Sequence, residues 1–282
     1  MTSTSSLPGT TVAGTSRAVA PPVRFESRAE APPAPIPFAR VARTELRKMF
    51  DTRSGFWLMA SIAITALLAT GAVILFAPDR ELTFSTFATA FGFPMAVILP
   101  IIALLSVTGE WSQRSGLSTF TIVPHRGRVI LAKGLVSVAV GVVSMLVACV
   151  IGAVGNLVGT AIAGVDTVWD VSTGDLANII LANVLGLMLG FMLGVLIRSS
   201  AGAIVAYFVY SLVLPSLAGL LAASQGWFHD LQPWVDFNHA QTALFNGALS
   251  TTQWEHLAVT AVIWLVVPLA IGVRLVLRSE VQ

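Results

Sequence analysis

Charge is the scarcest commodity in this chain. Of 282 residues only 11% are Asp, Glu, Lys or Arg, whereas 55% are hydrophobic and the net charge is +2. An ordinary soluble domain carries about 25% charged residues. Too little polar surface remains to coat a soluble globule, so part of the solvent must be lipid. Cysteine is nearly absent: Cys149 stands alone inside an apolar run, which excludes an intrachain disulfide or a cysteine-rich metal site. There is no GxxxxGK[ST] phosphate loop, so the chain does not hydrolyse ATP by that route. There is no HExxH zinc motif and no GxSxG nucleophile elbow. Finally, no carboxylate, histidine or basic residue falls near the middle of any long apolar run. Ion-coupled carriers and pumps keep such groups at mid-depth, and no inverted repeat with broken helices stands in for them. No chemistry points to nucleic acid, a bound cofactor or a metal.

What is present is length of apolar sequence. A lipid-crossing helix needs about 20 mostly apolar residues, and six stretches qualify: 55–77, 86–107, 129–158, 176–197, 201–223 and 256–277. They are too long for strands and lack the two-residue alternation of an outer-membrane barrel. The fold class expected is therefore an all-α integral membrane bundle, residues 55–282. Residues 1–37, rich in Ser, Thr, Ala and Pro, are expected to be a disordered cytoplasmic tail. They lack the apolar core of a signal peptide.

Charge distribution sets an expected orientation. Arg40, Arg43, Arg47, Lys48 and Arg53 precede the first span. Arg114, Arg126, Arg128 and Lys133 lie between the second and third or just inside the third, Arg198 between the fourth and fifth, and Arg274 and Arg278 at the end of the sixth. The alternate connections hold Asp79, Glu81, Asp166, Asp170, Asp175, Asp230, Asp236 and Glu255, with Arg80 their only basic residue. The positive-inside rule then places both termini in the cytoplasm. Arginine far outnumbers lysine, which suits a GC-rich bacterial genome; with the spans, this gives a multi-pass protein of the bacterial cytoplasmic membrane as the expected location.

Two segments outside the spans carry further pattern. Residues 38–54 read as an amphipathic interfacial helix, with Phe38, Ala42, Leu46, Met49 and Phe50 as its apolar stripe and Phe56 and Trp57 at headgroup depth. Residues 224–255 hold Trp227, Phe228, Trp234, Phe237, Phe245 and Trp254, which predicts short helices dipping into the outer leaflet or else an aromatic belt. Small residues recur at Gly186, Gly190 and Gly194 and at Gly155 and Gly159, faces suited to close helix packing within the chain or across a dimer. Pro94, Pro100, Pro215 and Pro268 break the backbone ladders of the second, fifth and sixth spans. With Asn183, Tyr207 and Tyr210, the prolines Pro94, Pro100 and Pro215 form a candidate pathway or gate.

The most distinctive stretch is 110–133, EWSQRSGLSTFTIVPHRGRVILAK, a polar basic connector between two greasy runs. It joins Glu110 and Trp111, then Arg114-Ser115-Gly116-Leu117, then Pro124-His125-Arg126-Gly127-Arg128, and closes on Ala132-Lys133. Ahead of the first span the chain reads Thr44-Glu45-Leu46-Arg47-Lys48, with Arg53 a turn later. Together with six spans and an amphipathic entry helix, these motifs resemble the membrane subunits of type-2 ABC exporters. The match covers residue 38 to the C-terminus; Leu117 departs from the threonine common in that family.

The resemblance implies a permease that dimerises with a second copy or a similar chain and docks separate ATPase subunits, which would hold the ATP and Mg. Glu110, Arg114, Pro124, Arg126, Arg128 and Lys133 would form the coupling loop, and Glu45, Leu46, Lys48 and Arg53 would belong to the interfacial helix. The chain itself would not be an enzyme; its other partners would be membrane lipids, with no nucleic acid. For any single arginine, headgroup contact remains an equal alternative. Two rival functions stay open: a polytopic enzyme acting on lipid through Asp230, Asp236 and His239, and a non-transporting scaffold or immunity protein.

Overall fold

A computed structural model describes the chain over 37–51, 53–112 and 126–278, and within these the side chains of all residues but 54, 110–112 and 126. The described residues are helical nearly throughout and contain no strand; one isolated parallel bridge joins Thr83 to Val168. Eleven α-helices follow in order among them. These are α1 (Phe38–Asp51), α2 (Arg53–Phe76), α3 (Phe84–Ser112), α4 (Arg126–Ala163), α5 (Thr173–Ile197), α6 (Ser200–Phe208), α7 (Leu214–Ser224), α8 (Gly226–Val235), α9 (Phe237–Thr242), α10 (Thr251–Ala261) and α11 (Val267–Arg278).

Among the described residues, six helical stretches are long and apolar enough to cross a membrane: Gly55–Phe76, Phe84–Gly109, Gly127–Ala163, Thr173–Ile197, Ser200–Ser224 and Thr251–Arg278. The expected spans thus fall on observed helices, with ends shifted by a few residues. The third is far longer than lipid requires. Its helix, α4, has 38 residues, about 57 Å at 1.5 Å per residue, against a hydrocarbon thickness of about 30 Å.

Local chemistry explains where the helices begin. α5 opens on a capping box: Ser172 Oγ accepts the Asp175 amide at 3.1 Å, and Asp175 accepts the Ser172 amide in return. α10 repeats the device with Ser250 and Gln253. α3 is capped from a distance. Asp170, in the connector before α5, accepts the Ser85 amide at 2.8 Å and the Ser85 hydroxyl at 2.7 Å. Burial pushes the Asp170 carboxyl up, but these Ser85 bonds, with Thr83, outweigh it and hold the group below the ordinary range. In the same connector the Val168 carbonyl accepts from the Asn156 side-chain amide and from the Phe84 backbone amide. Between α5 and α6, Arg198 turns into the left-handed region at φ 58° and Ser199 caps the next helix, giving the tight hairpin that three polar residues suggest.

The core is built where small residues let backbones meet. Gly186, Gly190 and Gly194 of α5 face α3. A Cβ on Gly190 would stand 2.3 Å from the Pro100 carbonyl oxygen, and one on Gly194 would stand 3.0 Å from that of Leu104. Gly155 of α4 lies against Thr70 and Phe87, and Gly159 against Ile74. Both glycine faces are therefore used within the chain. Around them Phe91, Met95, Leu99, Ala103, Met145, Leu187 and Phe191 are buried as one apolar cluster.

The segment 224–255 forms α8, α9 and a short 3-10 turn at Ala243–Asn246. Phe237, Ala240 and Leu244 are buried against Leu104, Ala182 and Leu189. Its aromatic content reflects this packing for Phe237, whereas Trp227 remains exposed.

Candidate functional site

Two constellations gather the residues singled out from sequence. The first lies where α1 meets the start of α4. Helical spacing places Phe38, Val41, Ala42, Glu45 and Met49 on one arc of α1. Val41, Phe38 and Ala42 pack against Val129 and Ala132 of α4, and Met49 leans on the main core. Glu45 is only 4% exposed and Lys133 only 7%. The Lys133 ammonium donates to one Glu45 carboxylate oxygen, and the Lys48 ammonium donates to the other at 2.8 Å.

This arrangement divides the expected apolar stripe, with Phe38, Ala42 and Met49 against the protein. Leu46 and Phe50 stay exposed, and Val41 with Glu45 occupies the inward face instead. The physical reason sits across the interface. A lysine at position 133 needs a carboxylate once it is buried, and turning α1 to supply Glu45 moves Leu46 and Phe50 off the contact. Burial pushes the Glu45 carboxyl up. Lys133 pulls it down by charge and hydrogen bond, Lys48 adds to this, and the net result lies below the usual carboxylate value. Arg47 pairs with Asp51 at 3.2 Å on the exposed side.

Of the expected coupling loop, Arg114 and Pro124 lie outside the described residues. Glu110 lies in the last turn of α3 and Arg126 opens α4, both without described side chains. Arg128 is half-buried on the first turn of α4, and Arg53 is exposed. The structure therefore brings Glu45, Lys48 and Lys133 together, a contact 88 positions apart that sequence treats as two separate motifs.

The second constellation is a crossing of broken helices deeper in the bundle. Proline has no amide hydrogen, so Pro100 leaves the Ala96 carbonyl without its helical donor. Tyr207 of α6 supplies one: its hydroxyl donates to Ala96 O at 2.6 Å. Two residues beyond Tyr207 the fifth span widens into a π turn, Val209–Val213, closed by the Leu214 amide on the Val209 carbonyl. The sixth span does the same at Val262–Val266, closed by Val267 on Val262. Each π turn ends two residues before a proline, Pro215 or Pro268, and the wider turn accommodates the missing donor. Tyr210 and Trp264, one from each π turn, meet with ring centroids 5.7 Å apart. The Trp264 indole donates to Val235 O at 2.6 Å, at the junction of α8 and α9.

Of the candidate gate residues, Pro100, Tyr207, Tyr210 and Pro215 thus share this crossing. Pro94 lies in α3, half-buried. Asn183 of α5 is 2% exposed; its amide donates to Ile179 O at 2.9 Å, while its Oδ1 has no partner. The Tyr210 hydroxyl is likewise buried and unpartnered.

Sequence reasoning missed two participants, Gln241, whose amide donates to Ala182 O at 2.7 Å, and Trp264; Asn178, a polar residue expected to hydrogen-bond between elements, donates to Gly247 O at 3.0 Å. A signal for the π turns is present. Val209-Tyr210-Ser211-Leu212-Val213-Leu214-Pro215 and Val262-Ile263-Trp264-Leu265-Val266-Val267-Pro268 share the pattern V-x-x-L-V-x-P.

In the segment 224–255, Asp236 accepts the His239 amide at 3.1 Å and the Gln232 side-chain amide at 3.0 Å. Its carboxylate serves as the α9 cap. His229 and Asp230 sit 3.4 Å apart, both exposed. Among the described residues no group of three or more His, Cys, Asp and Glu is placed to hold a metal ion. The chain matches no protein-family model, and no curated protein is significantly similar to it.

Proposed function

We propose that this chain is the transmembrane permease subunit of a bacterial ATP-driven exporter of the type-2 ABC kind. The observation that carries the reading is the buried Glu45–Lys133 contact with Lys48 beside it. It ties an amphipathic entry helix to the first turns of the span that follows the basic connector. A force applied to the connector would therefore move α4 and α1 together, which is what a coupling element requires. Both termini then lie in the cytoplasm, as the arginine distribution favours. α1 lies along the cytoplasmic interface of the plasma membrane, with exposed Leu46, Phe50, Phe56 and Trp57 toward lipid. Glu110, Arg114, Pro124, Arg126 and Arg128 face the ATPase, and a second copy or a similar chain completes the pathway. ATP and Mg belong to the partner, in keeping with the missing phosphate loop.

The test is capture and uncoupling. An ATPase with a phosphate loop should be encoded beside this chain, and on co-expression the chain should co-purify with that subunit and stimulate its hydrolysis in nanodiscs. Reversing charge at Arg126 and Arg128 should abolish the stimulation while the chain still elutes as a folded species. Stimulation that survives the double reversal, or no ATPase recovered at all, sinks the proposal.

A further inference from the structure

We propose that residues 214–261 form one moving lid, hinged at the two π turns Val209–Val213 and Val262–Val266 and latched to α5 by Gln241 and Asn178. The idea stands on the helical fold alone and would survive the loss of the transporter reading.

Four observations support it. The two hinges are the same object used twice, a π turn two residues ahead of a proline, and they lie side by side through Tyr210 and Trp264. π turns hold fewer well-aligned bonds than the helix around them and collect at functional positions.

Second, both inner half-spans are fixed. α6 is held to α3 by Ser200 on Thr108 at 2.8 Å and by Tyr207 on Ala96. α11 lies so close to α5 at Gly272 that an added Cβ would stand 3.1 Å from Val195 and 3.3 Å from the Leu196 backbone.

Third, the part between the hinges coheres with itself. Trp234 of α8 packs edge-on against His256 of α10 at 4.3 Å and Asp236 ties α8 to α9, while the Trp264 indole joins the second hinge to the α8–α9 junction. By contrast α7 buries none of its residues.

Fourth, the lid meets α5 along one strip. There Phe237, Ala240 and Leu244 make a non-directional apolar contact. The directional bonds are two amides, Gln241 to Ala182 O and Asn178 to Gly247 O. Apolar contact tolerates sliding; the amides fix the register. Releasing them leaves the lid free to swing about a line through both π turns, and the shared Tyr210–Trp264 contact makes the two spans bend together.

The test uses the full chain in nanodiscs with its single cysteine removed (C149A) and spin labels at exposed positions 173, on α5, and 231, on α8. Unaltered latches should give one dominant distance. Gln241→Leu with Asn178→Leu should raise a second, longer distance, by about fivefold in population per bond lost. Adding Pro215→Ala and Pro268→Ala, which restores ordinary helical bonding at both hinges, should return the single distance. A distribution unmoved by the latch variants, or a second distance indifferent to the proline variants, overturns the proposal. Hydrogen exchange on the unsubstituted chain gives an independent reading should the variants not fold. Amides of 209–213 and 262–266 should exchange at one common rate, faster than α6 and α11. Unequal rates, or rates no faster than those flanks, refute it.

Discussion

Replacing Lys133 by methionine isolates the contact on which the α1–α4 junction depends. The substitution keeps the length and apolar stem of the side chain and deletes the ammonium. Glu45 then remains in a site that leaves it 4% exposed, with Lys48 still 2.8 Å from one oxygen and the other oxygen deprived of Lys133. Removing one partner of a buried pair costs about 3–5 kcal/mol. The surviving Lys48 bond argues for the lower end, about 3 kcal/mol. Replacing both Glu45 and Lys133 by methionine removes the stranded charge as well and should return stability to within about 1 kcal/mol of the parent. Equilibrium unfolding in mixed micelles, followed by tryptophan fluorescence and applied to the parent, Lys133→Met, Glu45→Met and the double variant, yields the coupling energy directly. Acid provides an independent reading. The folded Glu45 carboxyl lies below its unfolded value, so its contribution is present above the ordinary carboxylate pKa and is lost as pH falls through the depressed one. The parent should therefore lose stability below about pH 4 more steeply than the double methionine chain. A single Lys133→Met chain within about 1 kcal/mol of the parent, or a double variant as unstable as the sum of the singles, would refute the account.

Two further outcomes follow from the packing. Gly190→Ala should cost about 1–3 kcal/mol or more, because the new methyl meets the Pro100 carbonyl at 2.3 Å. Gly219→Ala, with nothing within 4 Å, should be neutral or gain up to about 1 kcal/mol from helix propensity; equal effects in the same unfolding assay would deny the α3–α5 seam. Tyr207→Phe should cost about 1–3 kcal/mol by orphaning the Ala96 carbonyl, and Pro100→Ala, which restores the helical donor to Ala96, should recover most of that loss. No rescue would mean that the hydroxyl acts elsewhere.

The helical membrane architecture was legible because its signal is local and large. Runs such as 176–197 are apolar all round and need no partner to be recognised, and Ser172 with Asp175 marks a helix start within four residues. The connection between Glu45 and Lys133 was not legible, since 88 positions separate them and each has an adequate local reading as an interfacial or coupling charge. Which part of the α1 stripe packs on the protein was hidden for a related reason. Periodicity identifies Leu46 and Phe50 as apolar, but only the position of Lys133 decides which face turns inward. Prolines announced breaks in the second, fifth and sixth spans, yet not that Tyr207 would supply the donor one of them removed. The π turns did leave a written trace in the V-x-x-L-V-x-P repeat. Reading it requires knowing that two seven-residue patterns 53 positions apart would end as neighbours.

The contact of Gly190 with Pro100 also bears on how force is shared through the molecule. Side chains can yield by changing rotamer, but here main chain rests on main chain with no such cushion between them. α3 and α5 are therefore an incompressible axle. Any displacement of one helix at this crossing must be passed to the other there, because no side chain lies between them to yield.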